Sequence, residues 1–270
     1  MKNINSKIGL CALLAVTSLA ANASVSWNFK TSSNGDYRVS SSTAGTYQFT
    51  ASDSATVTRL SAWSAPVSGS SPINNVTGLL AHNQFGLVID QDGYGADGSG
   101  YGNSGSDSHA IDNGGNYEMV MFDFGANEFS LEAFDIGWYS NDSDVTVMAY
   151  QATPTSPSAE SIGGVSLAGL PANGWSVISH HSNPGTGNES VNSNLNSVYS
   201  SYWIIGAYMS AVGSGGQSIG DNSWDAIKIG GITGSTRSTP PTGDVPEPGT
   251  LLLTALGLVF IARKKFVVKS

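Results

Sequence analysis

Cysteine is nearly absent from this chain. Cys11 is the only one in 270 residues, and Leu10, not a small residue, precedes it, which argues against a lipoprotein signal. Disulfides and thiolate chemistry are thereby excluded from the body of the chain, which must rest on its core or on bound metal. Charge is also scarce. Charged residues make up 11%, against ~25% in an average soluble domain, so a coiled coil or long-helix protein is excluded. Basic residues are the rarer sign, 11 against 20 acidic for a net charge of −9, which speaks against a nucleic-acid-binding face. No internal repeat is visible, so neither a propeller nor a solenoid is expected.

What the chain has in plenty is glycine, 33 residues, nearly double the usual share of ~7%. It also has apolar surface for a sizeable core: 40% hydrophobic residues, with six Trp and ten Tyr. Disorder throughout is excluded on that ground.

Met1 to Ala23 reads as a secretory signal peptide. Lys2 and Lys7 form its basic start, Ile8 to Leu19 the apolar stretch, and Ala21-Asn22-Ala23 the small-x-small cleavage site before Ser24. Cys11 is then discarded on export. Near the other end, Val245-Pro246-Glu247-Pro248-Gly249 precedes an apolar segment, 250–262, and a basic tail, 263–270, that opens with Arg263-Lys264-Lys265. Gly249 to Ala262 as a helix reaches ~21 Å, short of a hydrocarbon core of ~30 Å. The flanks compensate: the prolines break structure before the helix, and the basic cluster can snorkel to cytoplasmic headgroups. The chain is therefore expected to pass the secretion translocon and stop in the inner membrane, basic end inside.

Pro246, Glu247 and Pro248, the apolar run Leu251 to Ala262, and Arg263, Lys264 and Lys265 together resemble the PEP-CTERM sorting signal of Gram-negative bacteria. The resemblance covers about a tenth of the chain, and Phe266 to Ser270 extends the tail beyond the pattern. It implies recognition by an exosortase, a membrane cysteine protease-transpeptidase, with removal of the tail and delivery to the cell surface or beyond it.

The body is 24–232, followed by a small, polar, proline-bearing linker, 233–244. Residues 24–244 hold five basic and nineteen acidic side chains, net −14. That charge repels anionic polysaccharide unless divalent cations bridge the two. Apolar residues recur mostly with period two, clearest at Val25, Trp27 and Phe29. Stronger runs follow at Phe85–Ile89, Met119–Phe124, Phe129–Trp138, Val145–Tyr150, Trp175–Ser179, Tyr202–Met209 and Trp224–Ile229. In the longest, the inward phase moves from Phe129 and Leu131 to Phe134, Ile136 and Trp138, which predicts a bulge near Ala133. Ser190 to Tyr199 fits either a short helix or a loop. About ten short strands and scarcely a helix predict an all-β, two-sheet antiparallel β-sandwich, jelly-roll-like.

Ser108-His109-Ala110-Ile111-Asp112-Asn113, Phe122-Asp123-Phe124, Ile136-Gly137-Trp138, Asp142-Ser143-Asp144, Ser201–Tyr208 and Trp224–Ile229 are similar to segments of the exosortase-dependent surface proteins. That resemblance implies a shared extracellular domain and no activity.

Catalytic motifs are wanting. Gly164–Gly169 misses the spacing of a nucleophile elbow, and there is no His-Glu-x-x-His. His82, His109, His180 and His181 could meet a serine and an acid in any chain this rich in both. Glu118, Asp123, Glu128, Glu132 and Asp135 lie on or beside strands, without a distinctive pair for glycoside hydrolysis. Oxygen ligands are better represented. Asp90, Asp92 and Asp97 share a glycine-rich stretch that fits either a calcium loop or a solvated polar loop. Asp107, Asp112, Asn113, Asp142 and Asp144 could join them in a sandwich. Trp63, Trp138, Trp175, Trp203 and Trp224 could stack on sugars, though a tryptophan in an alternating strand belongs more often to the core.

The expectation is an exported, non-enzymatic surface or matrix protein, sorted by an exosortase among extracellular polysaccharides, with calcium as the one candidate cofactor. The alternatives are a calcium-dependent carbohydrate-binding module and, further off, a secreted glycoside hydrolase.

Overall fold

The computed structural model describes residues 23–32, 37–38, 47–53, 55–68, 70–77, 80–90, 109–125, 127–152, 162–191, 198–214, 219–220 and 223–238. Among them are fifteen strands and no α-helix. In chain order these are β1 (Ala23–Asn28), β2 (Tyr37–Arg38), β3 (Tyr47–Thr50), β4 (Val57–Pro66), β5 (Asn74–Asn75), β6 (Leu80–Asn83), β7 (Gly86–Asp90) and β8 (His109–Asp112). They continue as β9 (Asn116–Asp123), β10 (Asn127–Asn141), β11 (Val145–Tyr150), β12 (Trp175–His181), β13 (Gly187–Ser190), β14 (Tyr202–Ala207) and β15 (Asp225–Ser238).

They form two antiparallel sheets. The first runs β13-β10-β15-β8-β7-β6-β2, with β1 also on β15, and the second β12-β11-β14-β9-β4-β3, with β5 on β4. Side chains from both make one core: Trp27, Phe129 and Phe134 from the first sheet pack with Leu60, Phe122 and Trp203 from the second. Trp27 takes Phe124 and Phe129 edge-on, at 5.3 and 5.2 Å between ring centres. Buried indoles need a partner for their N–H. That of Trp203 donates to the Phe129 carbonyl (2.9 Å), crossing between the sheets.

The second sheet is buried on its other face too. Trp63, Met119, Met148, Trp175 and Ile204 form a second cluster, capped by Leu167, Leu170 and Val212. These three come from 3-10 turns or their edges at Leu167–Gly169, Pro171–Asn173 and Ser210–Val212. A strand apolar on both faces reads as a continuous run, which is why six consecutive residues of β9 are buried.

The long strand β10 carries the irregularities of the fold. The pairing of β10 with β15 shifts register between Leu131 and Ala133, Asp135 and Ile136, and Ile136 and Trp138. The first shift, at Glu132, is the bulge that the apolar phase predicts, and it keeps Phe129, Leu131, Phe134 and Ile136 all buried. The last, at Gly137, overturns one detail. Trp138 pairs with Lys228, and the Lys228 ammonium sits over its ring at 4.7 Å, so this tryptophan leaves the core phase. The alternation between sheets that a jelly roll implies holds mainly from β8 onward. Before that the chain makes hairpins within one sheet, β3–β4 and then β6–β7–β8.

β15 also extends past residue 232. Its pairing with β1 reaches Thr236 and with β10 reaches Ser238, so six residues of the polar linker belong to the sheet. Polar composition misleads there because Ser235 is buried, and its hydroxyl donates to the Glu132 carboxylate (2.8 Å). Within Ser190–Tyr199 the described residues include no helix: Ser190 ends β13, and 192–197 lie outside the described residues.

Candidate metal centre

One end of the sandwich collects buried carboxylates. β10 ends at Asn141, which takes a left-handed conformation (φ 60°), and the chain then crosses to the second sheet through Asp142, Ser143 and Asp144. Asp142 forms a parallel bridge with Asp225, the first residue of β15. Asp142, Asp144 and Asp225 are 5%, 1% and 0% exposed, and each offers a carboxylate oxygen within 4.8 Å of the others. Among the described residues this is the one grouping of three or more potential ligands.

Backbone amides hold the three in place. Asp142 Oδ1 accepts from the Ser143 N–H, Asp225 Oδ1 from the Asp144 N–H, and Asp144 Oδ1 from the Asn183 N–H, each at 2.7 Å. Asn113 braces the far side: its Nδ2 donates to Asp225 Oδ2 (2.6 Å) and to the Tyr208 carbonyl (3.1 Å). Its Oδ1 accepts from the Asp225 N–H (2.7 Å). Burial pushes the Asp225 carboxyl up to about 8, and Asp144 and Asp142 push the same way, against hydrogen bonds from the Asp144 amide and Asn113. Asp144 and Asp142 thus place two further carboxylates beside it. Three hard oxygen donors suit a calcium ion, which completes its six to eight ligands from carbonyls and water. Asp142, Asp144 and Asp225 would hold it.

Sequence reasoning reached part of this site. Asp142, Asp144 and Asn113 are drawn together, whereas Asp112 stands apart, its Oδ1 accepting from the Gly114 N–H (2.9 Å). Asp92, Asp97 and Asp107 lie outside the described residues, and of Asp90 only the backbone, at the end of β7, is described. Asp225 was missed: a lone acid before an apolar strand, some eighty residues from its partners, carries no local signal. Of the sorting residues, Ala23 and Ser24 open β1, while Ala21, Pro246, Glu247, Pro248, Arg263, Lys264 and Lys265 lie outside the described residues. Among the described residues no helix is long and apolar enough to cross a membrane.

The other candidates are engaged elsewhere. Trp63, Trp175 and Trp203 are core residues. Asp123 pairs with Arg59 (3.0 Å) and Asp135 with Lys30 (2.6 Å), and buried Glu118 accepts from the Asp112 N–H (3.2 Å). Ser179 Oγ does meet His181 Nε2 (2.8 Å), and His181 Nδ1 meets Glu189 (3.1 Å). Ser179 and His181 are about equally buried, 8% and 7% exposed, and only the Glu189 side chain reaches solvent, so the hydroxyl does not open to a substrate as a nucleophile's must. The array is best read as a tie between the edge strands β12 and β13.

Burial pushes both His180 and His181 below the ordinary histidine range, although Glu189 opposes the shift at His181. A lowered folded value means that these rings favour folding fully above the unfolded pKa of ~6.5, and less as pH falls through the folded value. The melting temperature is expected to drop between pH 7 and 5, and less steeply in the double variant His180→Gln, His181→Gln. Parallel pH profiles would refute that assignment.

The fold and site define an antiparallel two-sheet β protein with an acidic buried centre. No curated protein and no solved structure matches the chain. A family model for the PEP-CTERM protein-sorting motif matches residues 244–265. The chain thus carries a PEP-CTERM sorting motif at 244–265, which supports export and sorting by an exosortase.

Proposed function

We propose that this chain is a non-enzymatic surface protein whose sandwich is displayed outside the cell after an exosortase removes its tail. The matched motif at 244–265 carries this reading. In it, the translocon threads the chain outward, 250–262 holds it briefly in the inner membrane, and Arg263, Lys264 and Lys265 stay on the cytoplasmic side. The described sheet ends at Ser238, and the seven residues from there to Pro246 can extend ~25 Å. That length lets an enzyme at the membrane surface reach the motif without unfolding β15. Calcium at Asp142, Asp144 and Asp225 would replace the missing disulfides as the brace of the exported fold. Support for calcium comes from their joint burial and from the closeness of the three carboxylates, within 4.8 Å of one another.

The test is processing in the native host. Intact-mass measurement of surface-extracted protein should give a chain that starts at Ser24 and ends near Glu247. Deleting the exosortase should leave the tail in place. Surface protein that still carries Lys264 and Lys265 in the wild-type host would show a permanent anchor.

A further inference from the structure

The outer face of the first sheet has a dent of about 280 Å³ that the metal centre and the tail do not use. It is crossed by a single cross-strand row. Asn28 on β1 is paired with Gly231 on β15, Gly231 with Asp135 on β10, and Asp135 with Asn188 on β13. Three interstrand steps of ~4.8 Å make the row ~14 Å long. Its ends are exposed amides, Asn28 and Asn188.

The floor is built by a bulge. Asp135 pairs with Gly231 and Ile136 with Ile229, so Gly230 is the extra residue. A Cβ on Gly230 would lie 2.0 Å from Asp135 Oδ2 and 2.4 Å from Lys30 Cε. The Lys30–Asp135 pair, at 2.6 Å, therefore lies flat in the space of the missing side chain. Bulges of this kind re-aim side chains beside functional sites.

We infer that this dent binds a neutral oligosaccharide. Lys30 and Asp135 cancel each other's charge, so the dent offers no net charge to select an ion. The −14 body repels anionic chains further. Around that neutral pair, the Asn188 amide can donate and accept, and the Asn28 amide, whose Oδ1 already accepts from the Lys30 N–H (3.0 Å), can still donate from its Nδ2, as the vicinal hydroxyls of a sugar require. The row is long enough for a short run of linked rings. An aromatic platform is not part of this site, since the nearest candidate on β10, Trp138, has Lys228 over its face. Recognition then rests on hydrogen bonds, with weak affinity at each copy and avidity from display of many copies. The identity of the partner rests on the surface reading above, while the site itself stands on the dent alone.

The experiment applies the full chain, purified in detergent, to a printed array of neutral and uronic-acid oligosaccharides. Retention on a neutral oligosaccharide is expected, falling at least tenfold for Asn188→Ala and for Lys30→Ala. Asn188 is exposed on an edge strand, so its variant should melt like the wild type, which separates lost binding from lost folding. Retention on uronic acids alone, on no neutral oligosaccharide, or equally by Asn188→Ala would overturn the proposal. Normal tail processing in the host alongside failed retention would sink this site and leave the sorting reading standing.

Discussion

Melting in calcium at a hundredfold excess over its Kd should occur about 5–10 °C above melting in chelator. If calcium binds only the folded form, a hundredfold excess over Kd stabilises it by roughly 2.7 kcal/mol, and a domain of this size gains about 2–4 °C per kcal/mol. Extracellular modules bind calcium at ~0.1–1 mM, so that excess calls for ~10–100 mM calcium. Magnesium should do little, because it demands a tighter, more rigid oxygen shell. Asp142→Asn is the informative variant. Its Oδ1 can still accept from the Ser143 N–H, yet one charge is gone from the trio. Most of the calcium increment should vanish with it, while melting in chelator holds or rises as repulsion among Asp142, Asp144 and Asp225 eases. Coincident wild-type curves with and without chelator would rule out a stabilising ion there.

Gly234→Val should unfold the protein or cost at least about 3 kcal/mol, at the upper end of overpacking effects. Gly234 lies between Val25 and Leu131 in the pairing of β1, β15 and β10. A Cβ there would come within 2.0 Å of the Ser130 carbonyl and 2.5 Å of the Phe129 ring. The obstruction is backbone on one side and a core aromatic on the other, so neither can give way cheaply. Gly185→Ala is the control. Gly185 is left-handed (φ 71°) but has nothing within 4 Å of its Cβ position, and it should cost only about 1–2 kcal/mol. Urea denaturation of both variants reads the difference, and a Gly234→Val chain as stable as Gly185→Ala would mean that β15 is packed otherwise.

The two readings of β10 show how far composition and period carry. Phe129, Leu131, Phe134 and Ile136 announce the bulge at Glu132 because a strand must keep its apolar side chains on one face. Nothing comparable announces the shift at Gly137, since Trp138 is apolar in either phase and only the lysine opposite gives it an outward partner. Strand runs such as Val145–Tyr150 and Tyr202–Met209 were legible for the same reason as the bulge: burial on a pleated sheet leaves a local periodic mark. The metal centre leaves none. Asp142-Ser143-Asp144 is a local cluster, but Asp225 joins it only because β10 and β15 are neighbours in the sheet, which is a fact of topology. The polar end of β15 was hidden too, because the hydroxyl of buried Ser235 is satisfied within the structure by Glu132 and Tyr199.

The place of β15 has a consequence for the timing of export. This strand pairs with β10, β1, β8 and β7, yet it is the last of the strands among the described residues. β1 must wait for a partner made some two hundred residues later, a separation that at 5–20 residues per second takes on the order of 10–40 s. During that interval the emerged chain has an unfinished first sheet with open strand edges. Closure of so distant a pair is slow in its own right. Among the described residues, Ala23 stands opposite Thr236, so when the wait ends the two ends of the sheet leave it side by side. On the export reading proposed above, a leader still attached at Ala23 and a tail still attached beyond Ser238 would then hold the domain to the membrane at one corner. The acidic surface keeps such waiting chains apart from one another until that last strand slides in.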